Sequence, residues 1–453
     1  MFSNKDLRKL IIPLVIEQLL AVTIGMADTV MVSSCGEAAV SGISLVDSIN
    51  FLLITLFSSL ATGGAVIASQ YIGRGDHKSA SLAAKQLFYA SLALSAVLGI
   101  IAVFFRKPVL NMVFGSIEAD VMAHAQIYFL LSAISYPFLA VYNAGAALFR
   151  SMGDSRTTML ISILMNTINI VGNAILIYGF QMAAAGAATA SLVSRAVGAI
   201  IITVLLLNPH RIIFYDKLHK PEIHLSMLKS ILQIGVPNGL ENSIFQIGKI
   251  LVASIVSGFG TISITANAVA GKPAFLQGIS GPGRSLQVIP GMALGMAMIT
   301  VVGQCIGAKD YEAVKKYTKK LMLITYGVVW AMTLLMLLFS KQILSFYSLS
   351  EETTTMTMEV FIVHGICAVI VWPLAFALPN ALRAANDVRF TMIVSLLSMW
   401  IFRIGFSYIL AIYFNMGILG TWIAMCIDWF CRGACFVIRF ARGKWKNISF
   451  IDN

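Results

Sequence analysis

The chain contains one sequence pattern twice, and this duplication constrains its fold more than any other feature. Residues 70–76 read Gln-Tyr-Ile-Gly-Arg-Gly-Asp, and residues 304–310 read Gln-Cys-Ile-Gly-Ala-Lys-Asp, 234 positions later. Further positions also occur twice: Arg150 with Arg383, Pro13 with Pro237, Glu17 with Glu241, and Gly186 with Gly420. A long repeat of this kind predicts two similar lobes, an arrangement typical of membrane transporters.

The apolar composition indicates that the chain crosses a membrane. Of its 453 residues, 58% are hydrophobic and 11% are charged, whereas a soluble domain carries about 25% charged residues. A transmembrane helix needs about 20 mainly apolar residues. Twelve stretches meet this requirement, and we number them as predicted spans 1 to 12: 10–32, 38–71, 84–105, 121–148, 158–178, 186–207, 231–257, 262–304, 321–339, 357–380, 390–412 and 418–438. The sequence therefore predicts an all-α integral membrane fold.

Six spans in each half give the two halves the same orientation. Each half begins and ends on one side of the membrane, so we expect parallel repeats about an axis along the membrane normal. The predicted organisation is an N-terminal six-helix lobe (1–207), a linker (208–229) and a C-terminal six-helix lobe (230–453). The linker is the most polar long stretch and contains two prolines, which favours a cytoplasmic connection.

Lysine and arginine predict the side of the membrane on which each loop lies. With the N-terminus in the cytoplasm, most basic loop residues fall inside, and the candidates for the outside are Arg106, Lys107, Lys272, Arg284 and Lys341. This asymmetry follows the positive-inside rule and places both termini in the cytoplasm. It also explains the net charge of +12 through basic loops near anionic lipid, so we expect no nucleic-acid partner. The first apolar run has no small-residue cleavage site, and we interpret it as span 1.

The loops after spans 2 and 8 and one insertion complete the organisation. We expect Gly73 and Gly307 to end their helices, and Asp76 and Asp310 to cap the helices that follow. The second lobe has ten additional residues, which we place in the segment 271–284. Its Pro and Gly content cannot continue a regular helix. We interpret it as a solvent-facing loop, with a plug or gate over the outer mouth as the alternative.

Ionisable residues inside the spans are candidates for the functional site, because an acidic group at mid-bilayer costs about 2.5–3.5 kcal/mol on insertion scales. Asp28 lies late in span 1, and its repeat position near Lys249 carries no acid. A lone carboxylate in a low-dielectric cavity can exchange a proton near neutral pH. With oxygen ligands nearby, it could instead hold Na+ transiently.

Polar residues of spans 5 and 6 could complete such a cation site. Asn166, Asn169 and Asn173 are three and four residues apart and share one helix face, while Thr189 and Ser191 lie in span 6. Hydrogen bonding between helices is the alternative interpretation. The cation-coupling candidates are Asp28, Asn169, Asn173 and Ser191, and we expect no resident metal or cofactor.

Glu17 and Glu241 each follow a proline by four residues in the first span of their lobe. Their duplication indicates either a shared structural role or two pseudo-symmetric acids in a substrate cleft. Lys249 lies eight residues after Glu241, on roughly the same helix face, and is grouped with them. Asp428 and Arg432 are four residues apart, which predicts an internal ion pair.

For other side chains within the spans, the sequence supports less specific expectations. Arg195 is expected to balance an acid such as Asp47, and His364 is expected to be packed and neutral. Cys431 and Cys435, four residues apart on one helix face, are expected to pack against apolar neighbours. The 22 Met and 27 Phe residues are typical of adaptable, promiscuous sites, although ordinary packing against lipid is the alternative. Acids in an apolar cavity favour organic cations.

Taken together, these segments resemble the multidrug and toxic compound extrusion (MATE) transporters of the bacterial branch. The resemblance covers nearly the whole chain and rests on these parts of the sequence: Pro13 and Glu17, residues 28–32, residues 70–73, residues 148–154 and residues 382–387. It implies two six-helix lobes that form a V-shaped cleft. It also implies efflux of cationic or amphipathic compounds across the inner membrane of a bacterial cell, coupled to inward flow of Na+ or H+.

The resemblance also assigns roles to single residues of the first lobe. The acid of the family's first helix matches Asp28, its helix 5 asparagine matches Asn169, and its helix 6 hydroxyl matches Ser191. The helix 5 acid that usually follows falls on Asn173, so this site has one charge fewer than is usual in the family.

The second lobe matches the family only in part. In members with a cation site there, the helix 7 acid matches Glu241, but the helix 10 acid falls near Trp372, where the sequence has no carboxylate.

The sequence thus predicts a secondary active antiporter that exports cationic or amphipathic organic compounds in exchange for Na+ or H+. The alternative is a flippase for a lipid-linked sugar or other lipid, which would need a cationic cleft; the candidate cations are Arg195, Lys249, Arg403 and Arg432. An enzyme is not expected, because the sequence lacks the common metalloprotease, serine hydrolase and nucleotide-loop motifs. Since one chain contains both lobes, we expect a monomer.

Overall fold

The computed structural model describes residues 2–115, 118–216, 218, 222–260, 263, 265–267, 288–345 and 350–448, except for the side chains of residues 23–29, 343 and 345. The insertion at 271–284 lies outside these residues. The described part of the chain is almost entirely helical and includes no β-strand. It forms two compact units, of which the first ends at Val236 and the second begins at Pro237.

The first unit is built from six long helices and one short one. Their bounds are α1 Asn4–Ser33, α2 Glu37–Arg74, α3 His77–Phe104, α4 Arg106–Phe114, α5 Ala119–Ser151, α6 Ser155–Asn173 and α7 Ala183–Leu206. Helix α6 continues into a π-helical turn, Ala174–Gly179. Helices α2 and α5 pack most extensively, and the buried core of this unit includes Phe57, Phe129 and Tyr136.

The chain enters the second unit along α8, Leu225–Ser257. The remaining helices are α9 Ile289–Gly307, α10 Tyr311–Leu338, α11 Ser340–Ser345, α12 Glu351–Ile370, α13 Leu378–Ala384, α14 Val388–Ser398 and α15 Gly417–Ala441. π-helical turns occupy Pro373–Ala377 before α13, and Met399–Gly405 and Tyr408–Tyr413 after α14.

The long helices account for the predicted spans. Within the described residues, eleven helices are long and apolar enough to cross a membrane when the π-helical turns are included. Helix α1, with 30 residues, is a further long helix and corresponds to span 1. Span 8 is described from Ile289 onward as α9. The predicted all-α membrane fold is confirmed.

The duplication extends to the turns between helices. The N–H of Met182 donates to the carbonyl of Leu176, and 234 positions later the N–H of Met416 donates to the carbonyl of Leu410. Both bonds close the tight connection between a π-helical turn and the next long helix, α7 or α15. The repeat therefore preserves local backbone geometry as well as residue types.

Two of the repeated glycines allow close packing beside these turns. A Cβ atom on Gly420 would lie 2.6 Å from the backbone nitrogen of Ala411, and one on Gly186 would lie 3.2 Å from the carbonyl carbon of Leu176. Because backbone atoms cannot move away as a flexible side chain can, α15 approaches its π-helical turn at this distance only with glycine.

The helix ends after spans 2 and 8 correct one expectation. Gly73 lies inside α2, and the left-handed residue at the end of this helix is Gly75, with φ 79°. In the second unit Gly307 is the last residue of α9, and Lys309 adopts φ 56°. The prediction for Gly73 is wrong because the helix ends at the position that needs a positive φ, two residues later.

The predicted helix caps are confirmed. Asp76 accepts the N–H of Ser79 at 3.0 Å, and Asp310 accepts the N–H of Ala313 at 2.9 Å. Each bond satisfies one of the backbone donors that a helix start leaves without a partner. Because its hydrogen bond with Ser79 favours the ionised form, the pKa of Asp76 lies below its usual value.

The connection between the repeats is bound to the first unit. Gln86 of α3 donates through Nε2 to the carbonyl of Glu222 at 2.7 Å and accepts the N–H of His224 at 3.1 Å. Helix α8 begins at Leu225, inside the segment 208–229 for which the sequence predicts a linker. The side chain of Gln86 thus replaces the regular backbone hydrogen bonds that this non-helical segment lacks.

Candidate functional site

The structure brings together three of the four predicted cation-coupling residues. Asn169 of α6 donates through Nδ2 to the Oγ of Ser191 on α7 at 3.1 Å. The Nδ2 of Asn173 lies 3.4 Å from the Oδ1 of Asn169. Asn169 and Asn173 are 2% and 0% exposed. The result is a group of amide and hydroxyl oxygens on two adjacent helices, in which the amides are buried and Ser191 is half-buried. This ligand chemistry suits a hard cation.

The side chain of the fourth candidate, Asp28, lies outside the described residues. Its helix, α1, packs along α6, and Asn166 donates through Nδ2 to the carbonyl of Leu20 at 3.3 Å. Asn166 shares a helix face with Asn169 because they are three residues apart. Helix α1 therefore contacts the polar face of α6.

Helices α6 and α7 are close at this group. A Cβ atom on Gly172 would lie 3.0 Å from the Cβ of Ala190, so glycine permits the short separation that the Asn169–Ser191 bond requires. Directly after Asn173, the helix changes to the π-helical turn. Such turns occur frequently at functional sites, where they change the direction of side chains.

Glu17 forms a partly buried ion pair within the first unit. Arg150 of α5 donates through Nη1 to its Oε1 at 3.0 Å, and Thr158 of α6 donates through Oγ1 to its Oε2 at 2.7 Å. Glu17 is 7% exposed. Its carboxylate therefore joins α1 to two neighbouring helices.

Glu241 forms the equivalent pair in the second unit. Arg383 donates through Nη2 to its Oε1 at 2.7 Å. Its Oε2 has no hydrogen-bond partner among the described residues. Thr391, the repeat position of Thr158, donates to the carbonyl of Val388 and not to Glu241. The sequence carried a signal for both pairs, since the glutamates and the arginines are each duplicated.

Asp47 belongs to a polar network between α2 and α5 of the first unit. It accepts the hydroxyl of Tyr128 at 3.0 Å and lies 3.4 Å from the Nδ2 of Asn50. Arg195, expected to balance an acid such as Asp47, instead donates to the Oγ of Ser135 at 2.7 Å.

The second unit contains a group of cations around one aromatic ring, which we call the Phe245 cluster: Phe245, Lys249, Arg403, Asp428 and Arg432. The Nζ of Lys249 lies 5.1 Å from the Phe245 ring centroid. The guanidinium carbons of Arg403 and Arg432 lie 5.5 and 5.0 Å from it. The sequence did not predict this cluster, because its members come from three separate helical segments.

The predicted ion pair between Asp428 and Arg432 is confirmed. The Nη2 of Arg432 donates to both carboxylate oxygens, at 3.0 and 3.2 Å. The Nη1 of Arg403 lies farther away, 3.7 Å from the same carboxylate. Asp428 is fully buried, so its charge depends on these cations for compensation.

His364 is packed, as expected. Its ring lies edge-on to Trp422 and Trp429, with centroids 5.4 and 5.6 Å apart, and the residue is 7% exposed.

The cysteines include a pair that the sequence did not indicate. Cys367 of α12 and Cys426 of α15 form a disulfide, while Cys431 and Cys435 have free thiols. Spacing along one helix could not reveal the first pair, since its members are 59 residues apart. In the part of the chain that the structure describes, no group of three or more His, Cys, Asp or Glu residues could hold a metal ion.

Comparison with known proteins agrees with this architecture. The family model MatE matches residues 13–175 and 237–409, one match in each repeat. The chain is 27% identical over 446 residues to "Uncharacterized transporter YisQ" of Bacillus subtilis, covering 96% of this chain and 93% of the relative. It is 26% identical over 452 residues to "Probable multidrug resistance protein NorM" of Thermotoga maritima, covering 98% and 93%.

Solved structures show the same fold. One, described as the outward-facing conformation of a multidrug resistance MATE family transporter of the MOP superfamily, matches with a TM-score of 0.88 at 20% identity, covering 98% of this chain and 97% of the other. A MOP superfamily transporter from Pyrococcus furiosus matches with a TM-score of 0.85 at 21% identity, covering 98% and 97%. The chain belongs to the MatE family of multidrug and toxic compound extrusion transporters, and is therefore a multi-pass membrane transporter and not an enzyme.

Proposed function

We propose that the protein is a secondary active antiporter that exports cationic or amphipathic organic compounds in exchange for Na+ or H+. The observation that carries this proposal is the partly buried Asn169–Ser191 hydrogen bond with the buried Asn173 beside it. Asn169 and Asn173 share a face of α6 with Asn166, which contacts α1, the helix of Asp28. Relatives named as probable multidrug resistance proteins support the export of drugs.

In the proposed mechanism, Asp28 supplies the negative charge and the neutral side chains supply oxygen atoms. One carboxylate with amide and hydroxyl ligands matches a single positive charge, either Na+ or a proton. Binding neutralises Asp28 and so favours one conformation of α1 and α6 over another, which is how the ion biases an alternating-access equilibrium. A membrane potential contributes about 2.3 kcal/mol per charge per 100 mV, enough to support uphill export.

Glu17, Glu241 and Lys249 have other roles in this proposal. Each buried glutamate is already paired with an arginine, so we assign both acids to holding the helices of their own unit together. Lys249 lies over the Phe245 ring and is the candidate for contact with substrate.

The proposal also places the protein in its membrane. We propose a monomer in the inner membrane of a bacterial cell, with both termini in the cytoplasm and lobes at 1–207 and 230–453 joined by the linker 208–229. The duplication within one chain and the basic residues of the predicted inner loops support this arrangement.

The proposal is tested by ethidium efflux from proteoliposomes that contain purified protein. A Na+ gradient and a pH gradient are imposed separately. The variants are Asp28→Asn and Asn169→Ala, with Asn111→Ala as the matched control, because Asn111 is an exposed asparagine of α4. We expect one gradient to drive efflux in the wild type and the control. Asp28→Asn should abolish it, and Asn169→Ala should slow it about tenfold, the effect of losing one buried hydrogen-bond partner.

Full efflux by Asp28→Asn would remove that residue from the coupling site. If neither gradient drives efflux by protein shown to be folded, the exporter proposal fails.

A lipid flippase is the second candidate, and the Phe245 cluster is the observation that favours it. Cations held in a helical membrane segment suit an anionic headgroup. Transfer of a lipid-linked sugar between vesicle leaflets, without dependence on either gradient, would support this function over export.

A further inference from the structure

The Phe245 cluster contains two arginines for one carboxylate. Arg403 and Arg432 both face one carboxylate, that of Asp428, and Lys249 adds a third cation against the same ring. Ionisable groups inside membrane-spanning segments are costly and usually serve a function. An arginine beyond the one needed to neutralise Asp428 therefore requires an explanation.

The distances show which arginine is available. Arg432 bonds both oxygens of Asp428, and Ser398 also donates to that carboxylate. Arg403 reaches it at 3.7 Å, which is longer than a hydrogen bond. The Arg403 side chain is 11% exposed, compared with 3% for Arg432. Arg432 thus holds Asp428, and Arg403 is both less firmly bound and more accessible.

Three buried donors of this unit have no acceptor in the part of the chain that the structure describes. The Nε atoms of Arg403 and Arg432 and the indole Nε1 of Trp429 have no hydrogen-bond partner among the described residues. Trp429 contacts Phe376 with ring centroids 5.5 Å apart, and Arg432 lies 5.1 Å over that same ring. Buried N–H groups are nearly always paired, so these donors are available to a bound group that supplies acceptor oxygens.

The backbone around these donors is also unusual. Arg403 lies in the π-helical turn Met399–Gly405, and Phe376 lies in the π-helical turn Pro373–Ala377. Turns of this kind are rare, and they are frequent at functional sites. Both sides of the region are thus built from segments that depart from regular helix.

We propose that Arg403, Arg432 and Lys249 bind the acidic group of an amphipathic substrate, a carboxylate or a phosphate. Guanidinium groups match the paired oxygens of such anions. The inference rests on the proposed transport function and identifies one class among its amphipathic substrates, namely compounds with an acidic group beside their apolar part. Phe245 and Phe376 hold the guanidinium groups by cation–π contact.

The site is tested by direct binding to the full chain in phosphatidylcholine nanodiscs. Tryptophan fluorescence is the readout, because Trp429 contacts the Phe376 ring over which Arg432 lies. The probes are octyl phosphate and octyltrimethylammonium, which have the same tail and opposite charge. The test variant is Arg403→Gln. The control is Arg442→Gln, which removes an exposed arginine at the end of α15.

We expect octyl phosphate to bind the wild type saturably and more tightly than octyltrimethylammonium. Arg403→Gln should reduce the affinity for octyl phosphate about tenfold, as expected for the loss of a charge-assisted hydrogen bond. Arg442→Gln should bind like the wild type. If Arg403→Gln does not fold, Lys249→Gln serves in its place, because it removes a cation without touching the Asp428 pair, and it should also weaken octyl phosphate.

The inference would be overturned if the two probes bound equally well, or if the folded test variant bound octyl phosphate with unchanged affinity. Water would then be the partner of the buried donors. Nanodiscs with phosphatidylglycerol distinguish the source of the acidic group. If phosphatidylglycerol competes with octyl phosphate in the wild type but not in Arg403→Gln, the acidic group is a lipid headgroup. If phosphatidylglycerol does not compete, the acidic group belongs to a free amphipathic acid. Both results support the site. Ethidium efflux is measured separately, so a failed anion site and a failed exporter give different results.

Discussion

Replacement of Thr158 by valine tests the Glu17 ion pair with the chain's own duplicate as control. Thr158 donates to Glu17 at 2.7 Å and to the carbonyl of Ser155 at 3.0 Å. Its repeat position, Thr391, makes the matching local bond to the carbonyl of Val388 at 2.9 Å. Both threonines are fully buried. The two substitutions therefore remove the same hydroxyl from similar surroundings and differ by one bond to a carboxylate.

The magnitude follows from that single difference. A hydrogen bond to a charged group contributes about 1.5–3 kcal/mol to the free energy of unfolding, whereas loss of the local hydroxyl-to-carbonyl bond costs little. For a unit of about 150–250 residues, a change of 1 kcal/mol moves the melting temperature by about 2–4 °C. We expect Thr158→Val to melt about 3–12 °C below Thr391→Val.

The measurement is the apparent melting temperature of purified protein in detergent, followed by tryptophan emission. The double variant Thr158→Val with Glu17→Gln should melt close to Glu17→Gln alone, because the hydroxyl then has no carboxylate to stabilise. Equal melting temperatures for Thr158→Val and Thr391→Val would refute the reasoning, since Glu17 would then gain nothing from Thr158.

Two further predictions concern packing and helix capping. Gly420→Ala should reduce stability by about 1–3 kcal/mol, because its Cβ would meet backbone at 2.6 Å. The control is Gly327→Ala on α10, where a Cβ atom would meet nothing within 4 Å, and it should raise the free energy of unfolding by about 0.5–1 kcal/mol. If the melting temperatures of the two variants moved in the same direction, this reasoning would be contradicted. Asp76→Ala should lower the free energy of unfolding by about 1 kcal/mol at pH 7, because the helix loses its N-terminal cap. Since the pKa of Asp76 is lowered on folding from 3.8, its contribution is present above that pH and is lost as the pH falls through the folded value. Wild type and variant should therefore differ at pH 7 and converge in acid, and a constant difference across this range would argue against an ionised cap.

Features that depend on short stretches of chain could be predicted from the sequence. The spans follow from runs of apolar residues, and the Asp76 and Asp310 caps follow from residue type at a helix start. The Asp428–Arg432 pair follows from a spacing of four residues on one helix. The Asn face of α6 was predictable for the same reason, because the helical period fixes which residues share a face.

Partners on different helices could not be predicted in this way. Glu17 and Arg150 are 133 residues apart, and Glu241 and Arg383 are 142 apart. Which helices pack together, and in which register, depends on the shapes of whole helix faces, which residue spacing does not encode. The Phe245 cluster could not be predicted for the same reason, since each of its cations, taken alone, resembles many unrelated lysines and arginines in the sequence.

The sequence by itself determined a duplicated, helical membrane protein and the residues that recur in both lobes, because hydrophobic length and helical period are local properties. Only the tertiary structure decided what the recurring residues do. It paired Glu17 and Glu241 with arginines, yet it gave Thr158 a bond to Glu17 that Thr391 does not make to Glu241. It also gathered Lys249, Arg403 and Arg432 around one ring in the second lobe. The two lobes share a pattern and differ in chemistry because the contacts between helices, unlike the helices themselves, depend on every side chain at the interface.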